Sequence, residues 1–196
     1  SCICTPREVV VADDIEAPFT IATGRVDGVT NVVVRVELED GSCGWGEAAV
    51  LLPVTSHTQR EVIEAVSAAA PSIVGLDGCD WRNSCAVIAE RLVPVPTGRA
   101  AVQMALADAA AVSRGVPLWR LFGESQAAVR TDITIPICRP ELAARLASEY
   151  GAAGFQVIKT KIGQDLSADL ERIQAIRAAH PRAQFLLDAN EGFSAT

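Results

Sequence analysis

The sequence predicts two successive architectures: an α+β domain over residues 1–125, then the opening of a parallel α/β unit over 126–196. Three observations predict them. Strand-like segments fill the first 48 residues and helix-like segments follow, a segregation typical of α+β domains. An Asp-Gly pair, Asp40-Gly41, separates two alternating runs, which signals an antiparallel hairpin. From about residue 126 strands and helices alternate with short connections, the pattern of a parallel sheet.

Taken in order, EVVVA (8–12) is a β-branched run and is expected to form a strand. Residues 13–30 read as a long connection rich in Gly, Asp and Thr, and long connections in compact domains are often functional. The next strand-like run alternates through Val32, Val34, Val36 and Leu38 before the turn at Asp40-Gly41. The glycines around Cys43 belong to the hairpin and make no phosphate loop. Spaced apolar faces mark helices over 58–70 and 81–93. An Ala-rich helix over 98–115 has Arg114 in its last turn and Gly115 as its stop. PLWRLFG (117–123) reads as one more short turn. In the second region strands are expected at 130–137, 155–162 and 183–190. Helices are expected at 140–154, ending in Gly, and at 165–180, stopped by Pro181.

Bulk properties narrow the function. The chain is 49% hydrophobic and 21% charged, a globular composition. A net charge of −7 argues against nucleic acid and anionic membrane surfaces as partners. No apolar stretch reaches the roughly 20 residues of a membrane span. Six cysteines without a CxxC pair, and two histidines, argue against zinc and against a secreted disulfide scaffold. Reduced thiols inside a cell, in the cytoplasm, are the expectation. The chain begins at Ser1 rather than Met, which leaves organelle targeting open.

The chemistry-bearing stretch is GFQVIKTKIG, 154–163. Of 17 basic residues only Lys159 and Lys161 are lysines. On a strand they share one face with Val157, while Ile158, Thr160 and Ile162 line the other. The apolar set suits packing against helices, so both amines face the opposite side near the strand's carboxyl end. Parallel sheets gather active residues at that end. Asp188 closes the next strand and should meet the lysines at the same rim. A carboxylate there needs a cation, because an apolar core tolerates it poorly.

Two lysines at i and i+2 stand about 6.5–7 Å apart along a strand. Their repulsion, about 2.5 kcal/mol at an effective dielectric near 20, could lower one pKa by about two. A lysine near neutral pH is a usable general base, a role closed to arginine. The bland alternatives are a solvated, aggregation-resistant strand edge for the lysines and a turn aspartate for Asp188.

On the residues IKTKIG, LLDAN, APFTIATGR, VVVRVELEDGSCGWGEA and TDITIPI, the chain resembles the enolase superfamily, muconate lactonizing subgroup. Within it the resemblance is nearest to dipeptide epimerases acting on L-Ala-D/L-Glu. That resemblance implies a capping domain followed by the first part of a (β/α) TIM-type barrel. It also implies a Mg²⁺-dependent removal of the proton α to a carboxylate, giving an enediolate. Lys161 would be the general base on one face of the substrate. Lys159 would depress its pKa and touch the substrate carboxylate, and Asp188 would be the first Mg²⁺ ligand. Arg25 would pair with a substrate side-chain carboxylate, and Thr134 would hydrogen-bond substrate. Glu47 would be structural. The implied partner is a small molecule, a dipeptide or related carboxylate, and a homo-oligomer is left open. Muconate cycloisomerase and o-succinylbenzoate synthase are alternatives within the class.

The family pattern also requires two further acidic ligands on later strands and a lysine across the barrel. Residues 130–196 hold three strands and two helices, whereas an eight-stranded barrel takes about 200–250 residues. The chain is therefore expected to be part of a longer protein or a truncated product. The competing expectation is a non-catalytic isoform or pseudoenzyme that binds a partner through its sheet edge.

Overall fold

The computed structural model describes residues 2–8, 19–22, 24–26, 28–52, 54–123 and 128–194. The chain forms two compact units. One comprises residues 1–13 with 28–126, and the other 14–27 with 127–196. The expected boundary at 125–126 lies near the second cut. Residues 14–27, read from sequence as part of the first domain, group with the second unit. The Thr20 carbonyl there accepts the Ile137 N–H at 3.0 Å.

The first unit opens with an antiparallel sheet of strands β1 (Cys2–Glu8), β4 (Val32–Leu38) and β5 (Cys43–Ala48), with β4 central. Of the strand expected over 8–12 only Glu8 is described, and it ends β1; residues 9–12 lie outside the described residues. The β4–β5 hairpin turns at Asp40-Gly41 as expected. Gly41 has φ +82°, and its N–H reaches the Leu38 carbonyl at 3.0 Å. The alternation in β4 sends Val32, Val34, Val36 and Leu38 into the core.

Helices α1 (Gln59–Ile73) and α3 (Pro96–Ser113) pack on the sheet, α2 (Trp81–Arg91) packs on both of them, and a 3₁₀ turn over Leu118–Phe122 follows. Helix α1 runs three residues past its expected end, through Pro71. The missing proline N–H falls in the last turn, where buried Ile73 and the Ser72 hydroxyl, donating to the Ala69 carbonyl, hold the helix. At its start, the Thr58 hydroxyl accepts from the Glu61 N–H at 3.3 Å, and the Glu61 carboxylate accepts from the Thr58 N–H at 2.7 Å. This is a reciprocal cap. Thr58→Ala is expected to lower the Tm by about 2–4 °C in a chain of this size, read by calorimetry.

Helix α3 owes its position to small residues on both sides. Ala101, Ala105 and Ala109 are fully buried, and Gly44 and Gly46 of β5 lie directly against their main chain. It ends as expected: Gly115 has φ +63°, its N–H meets the Val112 carbonyl at 2.9 Å, and the Val116 N–H meets Ala111 at 3.1 Å.

The second unit contains a parallel sheet in the order β6 (Ile133–Ile135), β7 (Val157–Lys161), β8 (Gln184–Asp188), with helices α4 (Pro140–Ala152) and α5 (Leu166–Ala179) between them. Its core holds Ile135, Ala143, Ala147, Ile158, Ile176 and Ala183. Each strand is shorter than the sequence suggested, since only the central residues find ladder partners. The long connection also holds structure. Strands β2 (Phe19–Ile21) and β3 (Gly24–Val26) pair as a small antiparallel hairpin, where the sequence reading placed a loop. Three-residue strands are too short to show an alternation.

Candidate active site

Strand β7 places the two lysines. Ile158 and Thr160 are fully buried on its helix side, so Lys159 and Lys161 emerge from the other face. The parallel register sets Thr134 of β6 beside Lys159, and Lys161 beside Asp188 of β8. Register partners in a parallel ladder point the same way, so these groups form two successive layers at the carboxyl end of the sheet.

The three charged groups converge on one oxygen. Asp188 Oδ2 accepts from Lys161 Nζ at 2.7 Å and pairs with Lys159 Nζ at 3.0 Å. Lys161 also donates to Asn190 Oδ1 at 2.8 Å, and the Asn190 N–H donates to Asp188 Oδ1 at 3.0 Å. The Lys161 side chain is only 9% exposed, against 33% for Lys159. One amine is thus largely withdrawn from solvent and the other stands at the mouth.

At Lys159 the hydrogen bond and charge of Asp188 act against any lowering and raise the amine above the usual lysine range. The effect is reciprocal. Hydrogen bonds from Lys161 and Lys159, then the Asn190 N–H, hold Asp188 well below the usual carboxylate range, against a smaller opposing effect of burial.

Asn190 is a site residue that sequence reasoning passed over, although LLDAN was singled out. It takes a left-handed conformation, φ +43°, as does Glu191 at φ +61°. Asn tolerates that region better than most residues. The turn returns its amide oxygen to Lys161. The available signal was an Asn two residues after a strand-terminal Asp, a spacing suited to a local side-chain turn.

Other expected residues fare differently. Thr134 is half-buried on β6 in register with Lys159. The Arg25 backbone pairs with Thr20 in the β2–β3 hairpin, and its side chain lies outside the described residues. Glu47 accepts from Asn31 Nδ2 at 2.6 Å, and Asn31 in turn receives the Val50 N–H, tying down the end of β5.

A magnesium ion requires hard oxygen ligands in near-octahedral array. Asp188 and Asn190 offer suitable oxygens at the rim. Among the described residues no group of three or more acidic, His or Cys side chains comes together to hold a metal. These residues therefore fit one part of an oxygen-ligand site. They do not make a whole one, and both oxygens of the single carboxylate already hold hydrogen-bond donors.

Comparison with known proteins gives concordant matches. Residues 6–123 match the N-terminal domain of mandelate racemase / muconate lactonizing enzyme, and residues 141–196 match the enolase C-terminal domain-like family. An L-Ala-D/L-amino acid epimerase of Populus trichocarpa is 45% identical over 190 residues, covering 90% of this chain and 42% of that protein. The L-Ala-D/L-Glu epimerase of Bacillus subtilis is 33% identical over 186 residues, covering 93% and 51%. The dipeptide epimerase of Enterococcus faecalis, crystallised with Mg and the dipeptide L-Leu-L-Tyr, superposes with a TM-score of 0.85 at 28% identity. That match covers 98% of this chain and 54% of the other. The chain spans about half the length of the curated relatives it matches. No helix among the described residues is long and apolar enough to cross a membrane.

Proposed function

Because this chain belongs to the mandelate racemase / muconate lactonizing enzyme family of the enolase superfamily, with its likeness among the dipeptide epimerases, we propose that it carries the α-proton-abstracting residues of a Mg²⁺-dependent dipeptide epimerase. The observation that supports this reading is the withdrawn Lys161 amine, 2.7 Å from Asp188 and flanked by Lys159.

In this reading Lys161 Nζ takes the proton from the carbon next to the substrate carboxylate. Lys159, at the mouth, binds that carboxylate and keeps positive charge beside it. Mg²⁺, when bound, would supply Lewis-acid stabilisation of the developing enediolate, with Asp188 as one oxygen ligand. Proton transfer needs one neutral amine. That amine is Lys161 in this reading, while Asp188 favours the charged form of Lys159, in keeping with its role beside the substrate carboxylate. Thr134, in register with Lys159, would hydrogen-bond substrate, and Arg25 would pair with an acidic side chain of it. The substrate class is a dipeptide of the L-Ala-D/L-Glu type. The relatives' substrates range from that to L-Leu-L-Tyr, so a panel of acidic and apolar dipeptides is the appropriate probe.

The test is incorporation of solvent deuterium at the substrate α-carbon, with and without Mg²⁺. Exchange that requires Mg²⁺ is expected. Asp188→Asn should reduce it at least about tenfold and raise the Mg²⁺ concentration needed for half-maximal exchange. Exchange indifferent to both would refute the reading.

One observation favours a second reading, a non-catalytic module. Strand β8 is an edge of its sheet among the described residues, with Leu186 and Leu187 about half exposed. An open apolar edge can pair with another chain. A stable complex in size-exclusion chromatography, without any exchange activity, would support it.

A further inference from the structure

Helix α5 turns Asp169, Arg172 and Ile176 inward. Asp169 and Arg172 are each 2% exposed and form an ion pair one helical turn apart. Opposite charges so deeply buried lose much of their attraction to desolvation, and apolar residues of similar volume often serve stability as well. Arg172 Nε is moreover buried with no hydrogen-bond partner among the described groups. The pair is better explained by what it holds.

Its remaining contacts both go to the end of β7. Asp169 Oδ2 accepts the Gly163 N–H at 2.7 Å, and Arg172 Nη2 donates to the Lys161 carbonyl at 2.9 Å. Between them the Ile162 N–H meets the Asp188 carbonyl at 3.0 Å. Gly163 has φ +107°, and an added Cβ would come within 2.9 Å of the Ala189 carbonyl oxygen. The three residues 161–163 are therefore tied to α5 at both ends, to β8 in the middle, and have no room to slide.

We propose that the buried Asp169–Arg172 pair is a positioning device that sets the backbone from which Lys161 reaches Asp188 and Asn190. The pair acts through the main chain and touches no reacting atom. Its value to turnover rests on the reading of Lys161 as the base. A shift of about 1 Å in such a group can cost a hundredfold in rate.

The chain's two lysines make a direct test practical. Protein labelled with ¹³C,¹⁵N-lysine gives side-chain signals for Lys159 and Lys161, assigned with Lys159→Arg and Lys161→Arg. Arg172→Met alone leaves a buried carboxylate unpaired and could unfold. The decisive variant is therefore Asp169→Leu/Arg172→Met, which replaces the pair with apolar volume. The double variant should fold, with the Lys161 signal shifted or broadened and the Lys159 signal unmoved. Deuterium exchange into the substrate should fall at least about tenfold in kcat, with KM within about twofold. An unmoved Lys161 signal in the folded double variant would overturn the proposal, whatever the activity. A moved signal together with undiminished exchange in Lys161→Ala would sustain the positioning role and overturn the base assignment instead.

Discussion

Replacing Lys161 with alanine is expected to lower deuterium exchange from one substrate enantiomer by about 10²–10⁴-fold, the usual contribution of a positioned general base. The reasoning is geometric. Lys161 is the more buried of the two amines, and it is held by Asp188 and Asn190. A side chain fixed on one strand reaches one face of a planar enediolate, so the loss should be enantiomer-selective. Lys161→Arg serves as the companion variant, since it keeps the positive charge and cannot give up its proton at any working pH. If the group serves chiefly to hold charge, arginine should restore exchange. If it moves a proton, arginine should be as inactive as alanine. Lys159→Ala is expected to act mainly on KM, because that amine stands at the mouth. Exchange from both enantiomers at wild-type rates in Lys161→Ala would remove this residue from the mechanism.

Substituting Gly46 with valine is expected to abolish stable folding of the first unit, a loss above about 4 kcal/mol in urea denaturation. A Cβ at Gly46 would lie 2.0 Å from the Ala101 carbonyl oxygen, and one at Gly44 would lie 2.1 Å from the Ala109 nitrogen. These obstacles are main-chain atoms of α3, so no rotamer change can relieve them. Helix and strand would have to part, opening the fully buried contacts of Ala101, Ala105 and Ala109. Gly44→Ala should follow with about 3 kcal/mol, at the upper end of ordinary overpacking. Gly28→Ala is the control. It has open space around it and no left-handed backbone, and should stay within about 0.5 kcal/mol of the parent. A Gly46→Val protein that unfolds with the parent's midpoint would show that α3 does not press on β5.

The sequence by itself determined the order and type of the principal elements, because their signals are local. Val32 to Leu38 alternate, Asp40-Gly41 turns, Gly115 stops a helix, and the second region repeats strand and helix at short spacing. It also determined that Lys159, Lys161 and Asp188 would meet. Side chains alternate along a strand, and short connections leave adjacent parallel strands little choice of register, so strand-terminal residues come together without any knowledge of the core. Tertiary structure alone decided the rest. The β2–β3 hairpin has strands too short to carry a periodic signal. The packing of Gly44 and Gly46 on α3 is invisible in a stretch that reads as an ordinary hairpin. The upward shift of Lys159 depends on where a carboxylate oxygen sits to within an ångström, because charge interactions scale with separation and local dielectric. Asp169 and Arg172 look like any helical i,i+3 charge pair until burial turns them toward Lys161 and Gly163. Local pattern fixes which residues lie on which face; only the packed chain fixes the distances on which their chemistry depends.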